Sequence, residues 1–305
     1  MLMTRWCSRR SFLCGVPMAG AALGALATAQ PGEAIEPISR PGPAKFKFSL
    51  AGYSYRKLLS GSSPVLKLED FIADCAAMGL EGTEPTSYYF PKDLTPQRLR
   101  QYKHQAFRLG LDISGTGVGN DFCHPPGPKR DEQLALVKRW IEYAEVLGAP
   151  MVRIFAGGPK AGQTPDQAYA LVIDAIEECC EQAAAHGVFV ALENHGGLTA
   201  TAEGVLRLVK AVKSPWFGVN LDTGNFRSAD PYAELEKIAP YAINVHVKVT
   251  MAPAGAGKQP TDYVRIKKIL TSAGYRGYIT LEYEEEEDPR TACPRHLDAI
   301  RRAFA

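Results

Sequence analysis

This chain lacks an excess of either charge. Its 35 lysines and arginines meet 33 aspartates and glutamates, a net charge of +2 over 305 residues, so composition points to neither a nucleic-acid footprint nor an acidic surface as partner. Paired cysteines at zinc spacing are also absent: of seven cysteines, none forms a C-x-x-C pair, which removes the common structural zinc motifs. Beyond the N-terminal segment, no apolar run approaches the ~18–20 residues of a membrane span without interruption. Apolar residues are not scarce, however. At 46% hydrophobic and 22% charged the chain sits near the globular average, which excludes a disordered or fibrous polymer. Its length allows one large domain or two small ones.

The N-terminus reads as a processing segment. Ser8-Arg9-Arg10-Ser11-Phe12-Leu13 leads into a run of small apolar residues that closes on Ala27-Thr28-Ala29. Paired arginines, an apolar stretch and an Ala-x-Ala site describe a twin-arginine export signal over residues 1–29. That predicts a periplasmic or secreted protein, the twin-arginine export machinery as a partner, and no stable membrane span after processing. Residues 1–29 carry three arginines and no acid, so removing them leaves 32 basic against 33 acidic residues, a net of −1. Cys7 and Cys14 leave with the signal, and Cys75, Cys123, Cys179, Cys180 and Cys293 remain. Adjacent Cys179 and Cys180 diverge on a helix and would not bridge; a single distant pair is compatible with an oxidising compartment. Residues 30–45, rich in Pro, Gly and Glu, read as a linker.

From Phe46 onward a rhythm sets in. Short β-type runs begin near Phe46, Gly82, Leu111, Pro150, Val188, Trp216, Ile243 and Gly277, and amphipathic helical runs alternate with them near 67–79, 95–109, 131–147, 165–186, 202–213, 231–240, 262–273 and 295–304. Gly79, Gly110, Gly148, Gly187 and Gly274 close helices as left-handed caps. Eight β-α units over residues 46–305 predict an α/β fold of one domain, a (β/α)8 TIM barrel. A doubly wound open sheet is the alternative, but its phosphate turn after the first strand is lacking: Ala51-Gly52-Tyr53-Ser54 stands there. Gly255-Ala256-Gly257-Lys258 lacks the spacing and hydroxyl of a phosphate loop and reads as an ordinary loop.

Barrel active sites form at the C-terminal strand ends, and alternate strand residues point inward. In Ile243-Asn244-Val245-His246-Val247-Lys248-Val249 the valines share one face, so Asn244, His246 and Lys248 face in. By the same parity Glu193 and His195 of the fifth strand, Asn220 and Asp222 of the sixth, and Thr280, Glu282 and Glu284 of the eighth face in. Glu193, Asp222, His246 and Glu282 therefore converge from four consecutive strand ends. Lys248 and Arg153 are too few as inward cations for three carboxylates, so a divalent metal is expected to neutralise the excess. Three carboxylates and one imidazole suit Mn²⁺ best, with Co²⁺, Mg²⁺ or Zn²⁺ as alternatives.

"ALENHGG", "VNLDTGN", "NVHVKV" and "TLEYE" on the last four strands resemble the xylose isomerase-like barrel superfamily, and most closely its sugar phosphate isomerase/epimerase group. The resemblance spans about residues 46–304. It implies that Glu193, Asp222, His246 and Glu282 bind one divalent ion and that Glu193 and Glu282 are the catalytic acid/base pair. It departs at Asn225, where better-known epimerases carry a substrate-touching histidine three residues after the metal aspartate. Further substrate-binding candidates are Glu84 at the second strand end, Arg153 on the fourth, His195 beside Glu193, Asn225 itself, and Lys248, two residues beyond His246.

The expected activity is that of a metal-dependent sugar or polyol isomerase/epimerase, which abstracts a proton alpha to a carbonyl and passes through a metal-stabilised enediolate. The partner is then a small sugar; a homo-oligomer is compatible with the chain. An inosose or keto-sugar dehydratase shares the first proton abstraction, and a non-catalytic carbohydrate-binding barrel is a further alternative. Apurinic endonucleases share the barrel but use three metals and several more histidines. With six histidines in all, Asn225 and Lys248 at positions where that cluster needs ligands, and a mature net charge of −1, nucleic acid is not the expected partner.

Overall fold

The computed structural model describes residues 35–305; the predicted export signal at 1–29 lies outside them. Eight parallel strands close into a barrel: β1 (Lys45–Leu50), β2 (Gly82–Thr83), β3 in two halves (Asp112–Ile113 and Thr116–Gly117), β4 (Met151–Ile154), β5 (Phe189–Glu193), β6 (Phe217–Asp222), β7 (Ala242–Val247) and β8 (Arg276–Leu281). Each begins within one residue of its predicted start. Neighbours pair in sequence order from β3 to β8, and β8 pairs with β1 in the register Lys45↔Arg276 to Leu50↔Leu281. The ring closes through short β2, which pairs with the first half of β3 and meets β1 where the Glu84 N–H donates to the Leu50 carbonyl at 3.0 Å.

The helices are α1 (Leu68–Ala77), α2 (Pro96–Arg108), α3 (Pro128–Leu147), α4 (Pro165–His186), α5 (Ala202–Ala211), α6 (Pro231–Ile238), α7 (Tyr263–Ser272) and α8 (Pro289–Phe304). Their ends follow local chemistry. Thr164 and Gln167 form a capping box ahead of Pro165, Asp230 and Asp262 cap α6 and α7 with their side chains, and all five predicted glycine ends adopt positive φ. Two starts differ from expectation. Helix α3 begins at Pro128 instead of 131, because proline is preorganised for the first helical position. Helix α8 begins at Pro289, six residues before 295. The Asp288 side chain caps it, and Pro294 is accommodated inside.

Valine, isoleucine and leucine from the outer strand faces meet the helices in one continuous core, with Val190, Leu192, Val219, Val245 and Ile279 fully buried. The N-terminal floor is closed by Lys47, which donates to Asp112 at 2.5 Å and to Tyr278 at 2.9 Å. Residues 35–44 form no helix or strand, but they are tied to the floor. The Ile38 N–H donates to the Pro240 carbonyl and Arg40 to that of Ala242, and Lys45, read as linker, opens β1. All five cysteines among the described residues are free and buried. No helix among those residues is long and apolar enough to cross a membrane.

Candidate active site

At the C-terminal mouth, strand register decides which side chains meet. Asp222 stands opposite His246, and His246 opposite Thr280, two residues before Glu282. Because the pleat alternates, Leu221, Val245, Val247 and Leu281 beside these residues pack outward while Asp222, His246 and Glu282 point in. Their ligating atoms lie within 4.8 Å of one another, and each residue is at most 5% exposed. Asp222 Oδ1 accepts from the Gly224 N–H at 2.8 Å; its Oδ2 is buried without a hydrogen-bond partner. That oxygen faces the Lys248 ammonium at 3.4 Å without hydrogen-bond geometry. The two carboxylates and the imidazole together are a donor set that a divalent ion would fit.

Glu193 borders this group. Its Oε2 lies 3.6 Å from His246 Nδ1, but it also accepts from Asn220 at 3.0 Å and faces Arg153 Nε at 3.2 Å, while Oε1 accepts from Asn225 at 3.2 Å. His246 is oriented from behind: Nε2 donates to Glu84 Oε1 at 2.8 Å, which turns Nδ1 toward the centre. Glu84 Oε2 accepts from Asn244 at 3.0 Å, and Asn244 also donates to Asn220 Oδ1 at 2.8 Å. Expected at the substrate, Glu84 instead has both oxygens engaged by His246 and Asn244. Parity had placed Asn220 and Asn244 inside, yet nothing in their spacing marked them as supports of the site.

The remaining candidates ring the mouth. Arg153 stacks 4.0 Å above the Phe155 ring and donates to the Val118 carbonyl at 2.6 Å. The His195 ring also lies 4.2 Å from that of Phe155. Tyr88, whose hydroxyl is 3.5 Å from Arg153, comes from the turn after β2, a segment without periodic signal in the sequence. Lys248 donates to Glu282 and lies 2.7 Å from Glu284 and 3.4 Å from Asp222 Oδ2. An open depression lined by Lys248, Glu282, Glu284, Glu285, Arg227 and Gly224 leads out from there.

Burial and mutual charge set the protonation pattern. Burial pushes Asp222 up to about 7 despite Lys248, and it raises Glu193 despite Arg153. Burial alone would raise Glu282 too, but Lys248 and His246 outweigh it and hold this carboxyl well below its usual range. For His246 burial works downward, and the Glu84 and Glu282 carboxylates overcome it to raise the imidazole well above its usual value. Desolvation against its neighbours and the Arg153 charge lower His195, favouring a neutral ring at the mouth. The site therefore holds carboxyls pushed apart in acidity, an arrangement suited to proton transfer.

Residues 72–303 match the model of the xylose isomerase-like TIM barrel family. The chain belongs to that family. Among curated relatives of this xylose isomerase-like barrel, a 3-dehydroshikimate dehydratase of Bacillus anthracis is 25% identical over 210 residues, covering 66% of this chain and 71% of the relative. An L-ribulose 3-epimerase superposes with a TM-score of 0.71 at 19% identity, over 85% of this chain and 94% of the other. The D-psicose 3-epimerase of Clostridium cellulolyticum H10, solved with D-tagatose, superposes at 0.69 with 16% identity, over 85% and 99%. At such identities the two superpositions speak for the fold.

Proposed function

We propose that this barrel is a metal-dependent isomerase or epimerase of a keto-sugar or related polyol. One observation carries the reading: buried Asp222, His246 and Glu282 bring their ligating atoms within 4.8 Å of one another, with the Glu193 carboxyl at their edge. Asp222, His246, Glu282 and Glu193 would hold the ion, Mn²⁺ by the mix of donors. A divalent ion there would polarise the substrate carbonyl and stabilise enediolate charge. The protein groups do the rest. Glu193 and Glu282 stand on different strands, β5 and just beyond β8, so they approach a sugar between them from different sides. One takes the proton from the carbon beside the carbonyl, the C–H electron pair moves into an enediolate, and the other carboxyl returns a proton to the opposite face. Arg153 and Asn225 hold Glu193 in place, and His195 with Phe155 walls the mouth.

A dehydratase is the second reading, supported by the 3-dehydroshikimate dehydratase relative. It shares the first abstraction; the enediolate electron pair then forms a C=C bond as the β-hydroxyl leaves as water, carrying the proton held by the carboxyl that made the abstraction. The experiment is turnover of metal-loaded protein on a panel of ketoses, inososes and cyclic hydroxy-ketones in deuterated water. Epimerisation with deuterium at the reacting carbon is expected. Glu193→Gln and Glu282→Gln should each lower kcat at least ~100-fold with circular dichroism unchanged. An enone product would establish the dehydratase, and an isomerised or epimerised product without solvent deuterium would replace the two-base scheme by a hydride shift.

A further inference from the structure

Lys248 is a buried cation whose end lies among metal ligands. It is 6% exposed, and its ammonium sits on Glu282 Oε2 and 3.4 Å from Asp222 Oδ2, two oxygens of the group that would hold the ion. A third carboxylate, Glu284 Oε1, lies 2.7 Å away on the solvent side, with its side chain 41% exposed. The lysine stem is fixed below this point. Its backbone N–H donates to Thr223 Oγ1 at 2.9 Å, and a Cβ on Gly224 would stand 2.5 Å from Lys248 Cγ, so the stem fills the slot that glycine leaves. Only the outer end of the chain is free to turn, and Glu284 is the acceptor on the open side.

We propose that Lys248 is a built-in competitor for the metal position, holding Asp222 and Glu282 together in the metal-free protein and moving over to Glu284 when a divalent ion enters. The inference rests on the metal reading above and adds a cost to metal entry that the ligand set alone does not have. A single positive charge is a weaker match than a divalent ion for two carboxylates and an imidazole, so the ion displaces it. Like charges sharing the same two oxygens repel, so the two cannot both stay. The metal-free site is thereby kept folded and shielded, and metal affinity is lowered in exchange.

The test is Mn²⁺ alone, titrated into full-length mature protein with free Mn²⁺ read by electron paramagnetic resonance, alongside thermal melts in EDTA. Lys248→Met keeps the stem and removes the charge. It should bind Mn²⁺ ~5–100-fold more tightly than wild type, the usual range for coupled sites, and it should melt lower than wild type in EDTA. Lys258→Met, a rim cation paired with Glu285, should leave Mn²⁺ affinity unchanged. Glu284→Gln removes the receiving carboxylate and should weaken Mn²⁺ binding at least ~5-fold; this variant decides the matter if Lys248→Met does not fold. Equal Mn²⁺ affinity in wild type, Lys248→Met and Glu284→Gln overturns the competitor while leaving the metal reading intact. No Mn²⁺ binding in any of the proteins overturns both.

Discussion

Both oxygens of Glu84 are engaged from below the site, one by His246 Nε2 and one by Asn244. A carboxylate behind a ligating histidine fixes the ring's tautomer and aim, and losing such a partner usually weakens metal affinity ~10–100-fold. Glu84→Gln should therefore lower Mn²⁺ affinity within that range while leaving the melting temperature of the metal-free protein within a few degrees, because an amide keeps the shape and one acceptor. Calorimetric titration of the variant checks this. Unchanged affinity with a raised KM would mean that Glu84 meets the substrate after all. At the same scale Asn225 donates to Glu193 Oε1, so the position where a histidine was expected by resemblance carries a residue that fixes the Glu193 carboxyl.

Among the elements, the turn that carries His195 packs closely on the start of a helix. Helix α5 starts against the loop after β5, and a Cβ at Gly204 would stand 2.1 Å from the Leu198 carbonyl oxygen and 2.9 Å from the Tyr169 hydroxyl that donates to it. In an exposed helix interior Gly→Ala stabilises by about 1 kcal/mol. Here the clash is with backbone and wins, so Gly204→Ala should destabilise by ~1–3 kcal/mol, as overpacking does. Because the same loop positions His195, turnover should fall more than the unfolded fraction explains. Urea denaturation with parallel kinetics checks both; a stabilised, fully active variant would show that the loop yields without consequence.

For the molecule as a whole, acidity and metal are linked. Burial lifts Asp222 to about 7 in the metal-free protein, so between its unfolded value of 3.8 and that point the folded state binds the extra proton. Its contribution to metal-free stability is then greatest at low pH and is lost as pH rises through about 7. Metal binding runs the other way, since the ion must displace that proton and the one on His246. At one fixed Mn²⁺ concentration the rise in melting temperature should be larger at about pH 8 than at about pH 5.5, reaching ~2.7 kcal/mol where that concentration is a hundredfold above Kd. Equal shifts at both would contradict the proton competition. Export is the other whole-molecule expectation: Arg9→Lys with Arg10→Lys should hold the precursor in the cytoplasm, as cell fractionation would reveal.

The order of eight β-α units, their strand starts and the inward parity of Glu193, Asp222, His246 and Glu282 were legible in the sequence because they are local properties. A two-residue alternation puts valines on one face of a strand and polar groups on the other, and a glycine or proline punctuates a helix wherever it occurs. Helix α8 escaped by six residues because Pro294 reads as a boundary, while the capping Asp288 and the burial of Cys293 and Leu297 override it. What only the tertiary structure decided was which partner each inward group finds. Glu84 and His246 are 162 positions apart and Asn244 and Glu84 160, so closing the barrel, and no local pattern, makes Glu84 the support of a histidine. The same closure brings Lys248 onto Glu282 and to 3.4 Å from Asp222 Oδ2. Sequence periodicity specifies which face a side chain takes, whereas the circumference of the ring and its register specify what stands across from it.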